Sequence, residues 1–233
     1  MDRISRKELK TDKFVAEVSE TVEFFQAHRR QIMRYGSVVL AVLVLLAAFG
    51  WYRRHQRTVR QEALNAALAI YNAPVGQTGN PFLPGYPSEE ERNKAALKAF
   101  SDLVARYPRS DEGLIATYYL GTMAADRGDL AEAEKHLRQV AESGAGNYAS
   151  LAKVALADLY RSQGKIAEGE KLLRSLIEKP TDFVSREHAT ILLAELIKES
   201  RPEEARKLLE PLRTERSVIS RHSLSVLAEL PQK

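Results

Sequence analysis

Apolar and polar positions recur with a helical period along almost all of this 233-residue chain, and one stretch departs from it by having no polar face. Residues 35–52 read YGSVVLAVLVLLAAFGWY, without a charge. Arginines close both ends: Arg29, Arg30 and Arg34 before the run, Arg53, Arg54, Arg57 and Arg60 after it. About 18 apolar residues rise about 27 Å as a helix, close to the hydrocarbon thickness of a bilayer. Within lipid every backbone N–H and C=O needs an internal partner, which a single helix supplies. Tyr35, Trp51 and Tyr52 fall where amphipathic rings settle, at the two membrane–water boundaries. The run predicts one membrane span. A cleaved signal peptide fits worse, because a long, mostly polar segment precedes the run and Trp51-Tyr52-Arg53-Arg54 ends it with no A-x-A site. A buried soluble helix is usually shorter and keeps a polar face.

The flanks carry the ordinary helical pattern. In residues 1–34, Phe14, Val18, Val22 and Phe25 recur at helical spacing beside Val15 and Phe24, with Lys13, Glu17, Glu20 and Glu23 around them. This predicts an amphipathic helix that lies on the bilayer surface or docks a partner. After the span, Arg53 to Tyr71 contains no Gly or Pro, and Ala63, Leu64, Ala67, Leu68 and Tyr71 form one stripe. The membrane helix is expected to run on as the first helix of the next domain, a stiff connection. Residues 73–87 (APVGQTGNPFLPGYP) break the pattern and predict a long loop. Ser88 with Glu91 has the spacing of a capping box and opens a new helix.

From Glu89 onward the pattern is helical throughout, with no period-2 strand. Breaks fall at Tyr107-Pro108, Arg127-Gly128-Asp129, residues 143–146, Gln163-Gly164-Lys165, Lys179-Pro180 and Ser200-Arg201-Pro202. They leave segments of the length of paired antiparallel helices. The segments also repeat. Leu120-Gly121, Ala124, Gly128, Ala133, Leu137 and Val140 recur 36 residues later as Leu156-Ala157, Tyr160, Gly164, Gly169, Leu173 and Leu176. A third copy runs Leu193-Ala194, Ile197, Ala205 and Leu209, offset by 37 in its first helix and 36 in its second. Ala96, Phe100, Leu103 and Pro108 supply half of an earlier copy. Small residues (Gly121, Ala133, Ala157, Gly169, Ala194) let two helices approach, and large ones (Leu120, Phe100, Leu137, Tyr160, Leu173) fill the space to the next pair. One pair alone leaves an apolar face exposed, so the pairs must stack. A last helix, about residues 217–230, would cap the stack.

These positions resemble the tetratricopeptide repeat, whose period is about 34 residues. The first-helix Trp is missing, and Gly169 stands where Ala is usual. The expected fold is all-α: a single transmembrane helix followed by an α-solenoid of degenerate tetratricopeptide-like repeats. Its expected parts are an N-terminal amphipathic segment at 1–34, a span at 35–52 and a repeat domain at 53–233. With the span in front, the layout resembles the YfgM-like family of bacterial inner-membrane proteins. There a short cytoplasmic N-terminus and one span precede a periplasmic repeat domain. The resemblance implies an ancillary role beside the Sec translocon, with the translocon, periplasmic folding factors or secreted clients as partners.

Composition adds limits. Cysteine is absent, which excludes disulfides, thiol catalysis and Cys-based metal sites and suits an envelope compartment. Of the formal +4 charge, the basic excess belongs to residues 1–60, with 12 Lys/Arg against 6 Asp/Glu; residues 61–233 hold 23 basic and 25 acidic. The excess surrounds the span, where anionic headgroups attract it, and the near-neutral remainder gives no nucleic-acid footprint. Three basic residues close before the span and four after it leave the positive-inside rule undecided. The periplasmic orientation comes from the resemblance alone.

No catalytic constellation occurs. His28, His55, His136, His188 and His222 are scattered without ligand spacing. No G-x-S-x-G, P-loop or G-x-G-x-x-G is present. The acid pairs Glu132/Glu134, Glu168/Glu170 and Glu203/Glu204 read as solvated faces with Lys or Arg one turn away. The expectation is a non-enzymatic protein with no cofactor, no metal and no small-molecule substrate. Stacked helix pairs expose their first helices on a concave face, which repeat proteins use for partners. By the repeat pattern that face carries Tyr118, Thr122 and Asp126 in one pair, Asp158 and Arg161 in the next, and His188, Glu195 and Lys198 in the third. A clamp for a C-terminal carboxylate needs cations there, yet the two principal positions read Tyr118/Thr122, Val154/Asp158 and Ile191/Glu195. An extended or partly unfolded chain fits better. Two other functions stay open: a structural subunit of an envelope assembly, and a cytoplasm-facing adaptor.

Overall fold

The computed structural model describes residues 28–76, 85–143, 146–214 and 218–229. The apolar stripe expected from Phe14 to Phe25 lies outside these residues, as do 77–84 of the proline- and glycine-rich loop. Helix α1 is Arg29–Tyr71. The chain falls into two compact units divided between Thr58 and Val59, so α1 gives residues 29–58 to the first and 59–71 to the second.

In the first unit α1 is long and apolar enough to cross a membrane, and none of its apolar window is buried against protein. Val38, Leu40, Leu43, Leu45, Leu46, Phe49 and Trp51 all stand exposed. Ser37 is the one hydroxyl among residues 36–50. It donates to the Arg34 carbonyl at 2.8 Å, so no side-chain donor is left unmet inside the apolar stretch. At the far end the Trp51 ring stacks on His55 with centroids 5.7 Å apart.

The second unit is built of α2 (Glu89–Arg106), α3 (Asp111–Asp126), α4 (Leu130–Glu142), α5 (Gly146–Ser162), α6 (Ile166–Glu178), α7 (Arg186–Ile197), α8 (Pro202–Leu209), a 3₁₀ turn (Glu210–Thr214) and α9 (Val218–Glu229). Helix starts follow their cap residues. Ser88, Ser110, Asp129 and Ser185 each accept the backbone N–H of the residue three ahead, which answers one of the four donors a helix start leaves open. Helix ends follow the predicted breaks. Gly128 (φ +79°) and Gly164 (φ +72°) turn the chain through the left-handed region between partners.

The helices pair in sequence: the end of α1 with α2, then α3 with α4, α5 with α6 and α7 with α8. Three clusters of buried side chains bind each pair to the next. One joins Leu64, Ala67, Phe100 and Leu120; a second joins Ala133, Leu137, Leu156 and Tyr160; a third joins Leu173, Leu193, Ala194 and Leu209 to Val226 of α9. The small positions sit where the helices come closest. A Cβ built on Gly121 would lie 2.8 Å from Leu137, and Ala133 and Ala194 are fully enclosed. Burial of these apolar positions is the main favourable term, about 25 cal/mol per Å² removed from water.

Three features go beyond the sequence pattern. Pro211 cannot extend a helix, so α8 stops after two turns and the chain continues in 3₁₀ form. The ends of the long loop are tied: Gly76 N–H donates to the Tyr86 carbonyl at 2.9 Å and Tyr86 N–H to that of Pro74 at 3.0 Å. The acid pairs are more than solvated faces. Glu134 bonds Arg138 and the Tyr160 hydroxyl and meets Lys165 at 3.6 Å. Glu170, thirty-six residues on, joins Arg174 and Arg201. Each carboxylate thus reaches from its own pair to the next. The guanidinium of Arg201 holds the Glu170 carboxyl below its ordinary range.

Candidate functional site

The first helices of successive pairs run side by side, and between α5 and α7 they leave a groove of about 570 Å³. Its floor is core. Ala157, Leu173 and Leu196 line it and are almost fully buried in the stack. Its walls are Leu151, Val154 and Ala155 from α5 and Leu192 from α7, all partly exposed. Gly169 of α6 sets the depth: a Cβ there would lie 3.1 Å from Leu196 and 3.2 Å from the Ala157 carbonyl. The residue that departs from the usual alanine therefore lets α6 sit close under the groove.

The lip is charged. Arg161 binds Asp158 one turn earlier with its Nη2 at 2.6 Å. Lys198 pairs with Glu229 of α9, and Glu195 meets His222 Nε2 at 3.0 Å. The Lys198 ammonium holds the exposed Glu229 carboxyl below the ordinary range. At one end Tyr118 of α3 closes the trough. Burial pushes its phenol above the ordinary tyrosine range, with Tyr119 and Tyr71 adding to the effect. The Tyr118 ring packs edge-on against Tyr148 at 5.6 Å, and Tyr148 against Phe183 at 5.7 Å. Phe183, in the turn before α7, is half exposed.

Of the residues expected on this face, the structure brings Tyr118, Asp158, Arg161, Glu195 and Lys198 to one groove. Three stand elsewhere. Thr122 uses its hydroxyl on the Tyr119 carbonyl at 3.0 Å. Asp126 is exposed at the end of α3, and His188 is exposed in the first turn of α7. Ile191, placed on the face by the repeat count, is buried in the core, and its neighbour Leu192 lines the groove instead. Sequence reasoning missed Tyr148, Phe183 and Glu229. Tyr148 and Phe183 lie at or beside turns, where helical periodicity carries no signal, and Glu229 reaches the groove only through the docking of α9.

The scattered histidines have separate surroundings: His55 on Trp51, His222 on Glu195, and His136 on Glu132 at 3.0 Å. Among the described residues no group of three His, Asp or Glu gathers at metal-binding distance. What the groove offers is apolar volume with a polar edge, which suits the side chains of another chain.

Stacked pairs with an open first-helix groove define a helical-repeat protein of the protein-interaction kind. The chain belongs to the tetratricopeptide repeat-like domain family, whose pattern it matches over residues 29–207, from the first residue of α1 into α8. No curated protein and no solved structure matches it.

Proposed function

We propose that this chain is a non-enzymatic scaffold held in the bacterial inner membrane by the apolar part of α1. Its repeat groove stands in the periplasm and assists secreted proteins, or the folding factors that serve them, beside the Sec translocon. The observation that carries the polypeptide-binding part is the groove between α5 and α7, with an apolar floor, a charged lip and an aromatic end. Anchoring is supported by the apolar window of α1, none of it covered by protein. The side of the membrane and the neighbouring translocon rest on the resemblance to the YfgM-like family. Charge stays neutral on the matter. Arg60, counted on the far flank, pairs with Glu112 at 2.9 Å, and setting it aside leaves three arginines on each side of the run.

Two measurements test the reading. In spheroplasts, external protease should digest the repeat domain together with a periplasmic control; a domain that survives while the control is cut puts it in the cytoplasm. Crosslinking from Tyr118 or Asp158 in growing cells should capture many clients transiently. A single stoichiometric partner from both positions would overturn the assisting role in favour of a structural subunit.

A further inference from the structure

The chemistry of the lip says more about the partner than the apolar trough does. Around the groove stand Asp158, Glu195, Glu199 and Glu229 against two permanent cations, Arg161 and Lys198. Both cations are already answered, Arg161 by Asp158 at 2.6 Å and Lys198 by Glu229. Glu195 bonds the His222 imidazole and, like the exposed Glu199 on the same helix end, stands near enough to act on Arg161, so four carboxylates share two permanent cations. The lip thus keeps an excess of negative charge beside an apolar trough, and this solvent-exposed excess draws an incoming cation most strongly at low salt. At the Tyr118 end an aromatic ring lies on the same groove as Asp158. A ring face and a carboxylate together favour a cation over an anion.

We infer that the groove takes polypeptide segments in which apolar side chains stand next to lysine or arginine, the apolar groups entering the Leu151–Val154–Leu192 trough and the cations meeting Glu195 and Asp158. This rests on the proposed polypeptide-binding role and adds the partner's chemistry to it. A chain end offering a free carboxylate would meet repulsion at the same lip.

The test uses the full chain in lipid nanodiscs and three short labelled peptides. One is built of leucine and serine with two lysines, the second carries glutamates in place of the lysines, and the third keeps the lysines but has serine for every leucine. Fluorescence anisotropy at low salt should give the leucine–lysine peptide about tenfold tighter binding than either of the others, with the advantage shrinking as salt screens the lip. Glu195→Lys should reverse the charge preference and Glu195→Gln should reduce it, with thermal melts checking that each variant remains folded. Equal or tighter binding of the glutamate peptide, lost in Leu192→Ser, overturns the assigned chemistry and leaves the groove as the binding site. Failure of all three peptides to bind, or binding indifferent to Leu192→Ser, overturns the inference and the polypeptide-binding reading together.

Discussion

Gly113 shows how much one residue can carry. It is buried in the first turn of α3, and a Cβ there would lie 1.9 Å from the Tyr107 carbonyl oxygen. Helix propensity alone favours Gly113→Ala by about 1 kcal/mol. The clash is with backbone, which cannot swing aside, so the turn between α2 and α3 must move. Overpacking of this kind costs about 1–3 kcal/mol or more and outweighs the propensity gain. Chemical denaturation should find Gly113→Ala less stable than the parent; a more stable variant would contradict the packing. His136 makes a different statement. Burial pushes its imidazole below the ordinary value of 6.5, although Glu132 beside it pulls the other way. Its Nδ1 is buried without a hydrogen-bond partner. Below that ordinary value the unfolded chain binds the proton before the folded one does, so stability is complete above about pH 6.5 and falls as pH drops through it. Thermal melts from pH 7.5 to 5.5 should fall less steeply for His136→Gln than for the parent, and parallel curves would remove His136 from the account.

At the scale of elements, the caps and small positions were legible in the sequence. Ser88 precedes a helix and caps it, and Gly121, Ala157 and Ala194 sit at close approaches, because both signals depend on local spacing that stacking repeats. The third first-helix was readable only to within a residue. Its offset changes from 37 to 36 within one repeat, and a slip of one position exchanges Ile191 in the core with Leu192 in the groove. Contacts between distant segments were not legible at all. Arg60 reads as a flanking membrane arginine, yet it donates to Glu112, whose side chain is only 7% exposed, and so binds the end of α1 to α3. Removing one partner of a buried pair leaves the other charge stranded, typically at about 3–5 kcal/mol, whereas replacing both by apolar groups is often neutral. Because Arg60 keeps partial access to water, Arg60→Ala should cost about 2–4 kcal/mol in denaturant titration. The double variant Arg60→Met with Glu112→Leu should recover most of it. A double variant no better than Arg60→Ala would mean that the loss comes from packing and not from the stranded carboxylate.

At the scale of the molecule, the repeat unit holds its groove on core residues. Ala157, Leu173 and Leu196 serve the stack and the trough at once, so the groove cannot loosen without the fold. The inter-pair links at Glu134 and Glu170 lie on the second helices, away from the groove lip on the first helices where the partner is proposed to bind. The most direct measurement is a photocrosslinking scan of the full chain in its native membrane. It compares positions 154 and 192 in the groove with exposed positions 135 and 171 on the second helices. The account predicts polypeptide adducts from 154 and 192 and none of comparable yield from 135 and 171. Equal or greater yields from 135 and 171 would contradict it.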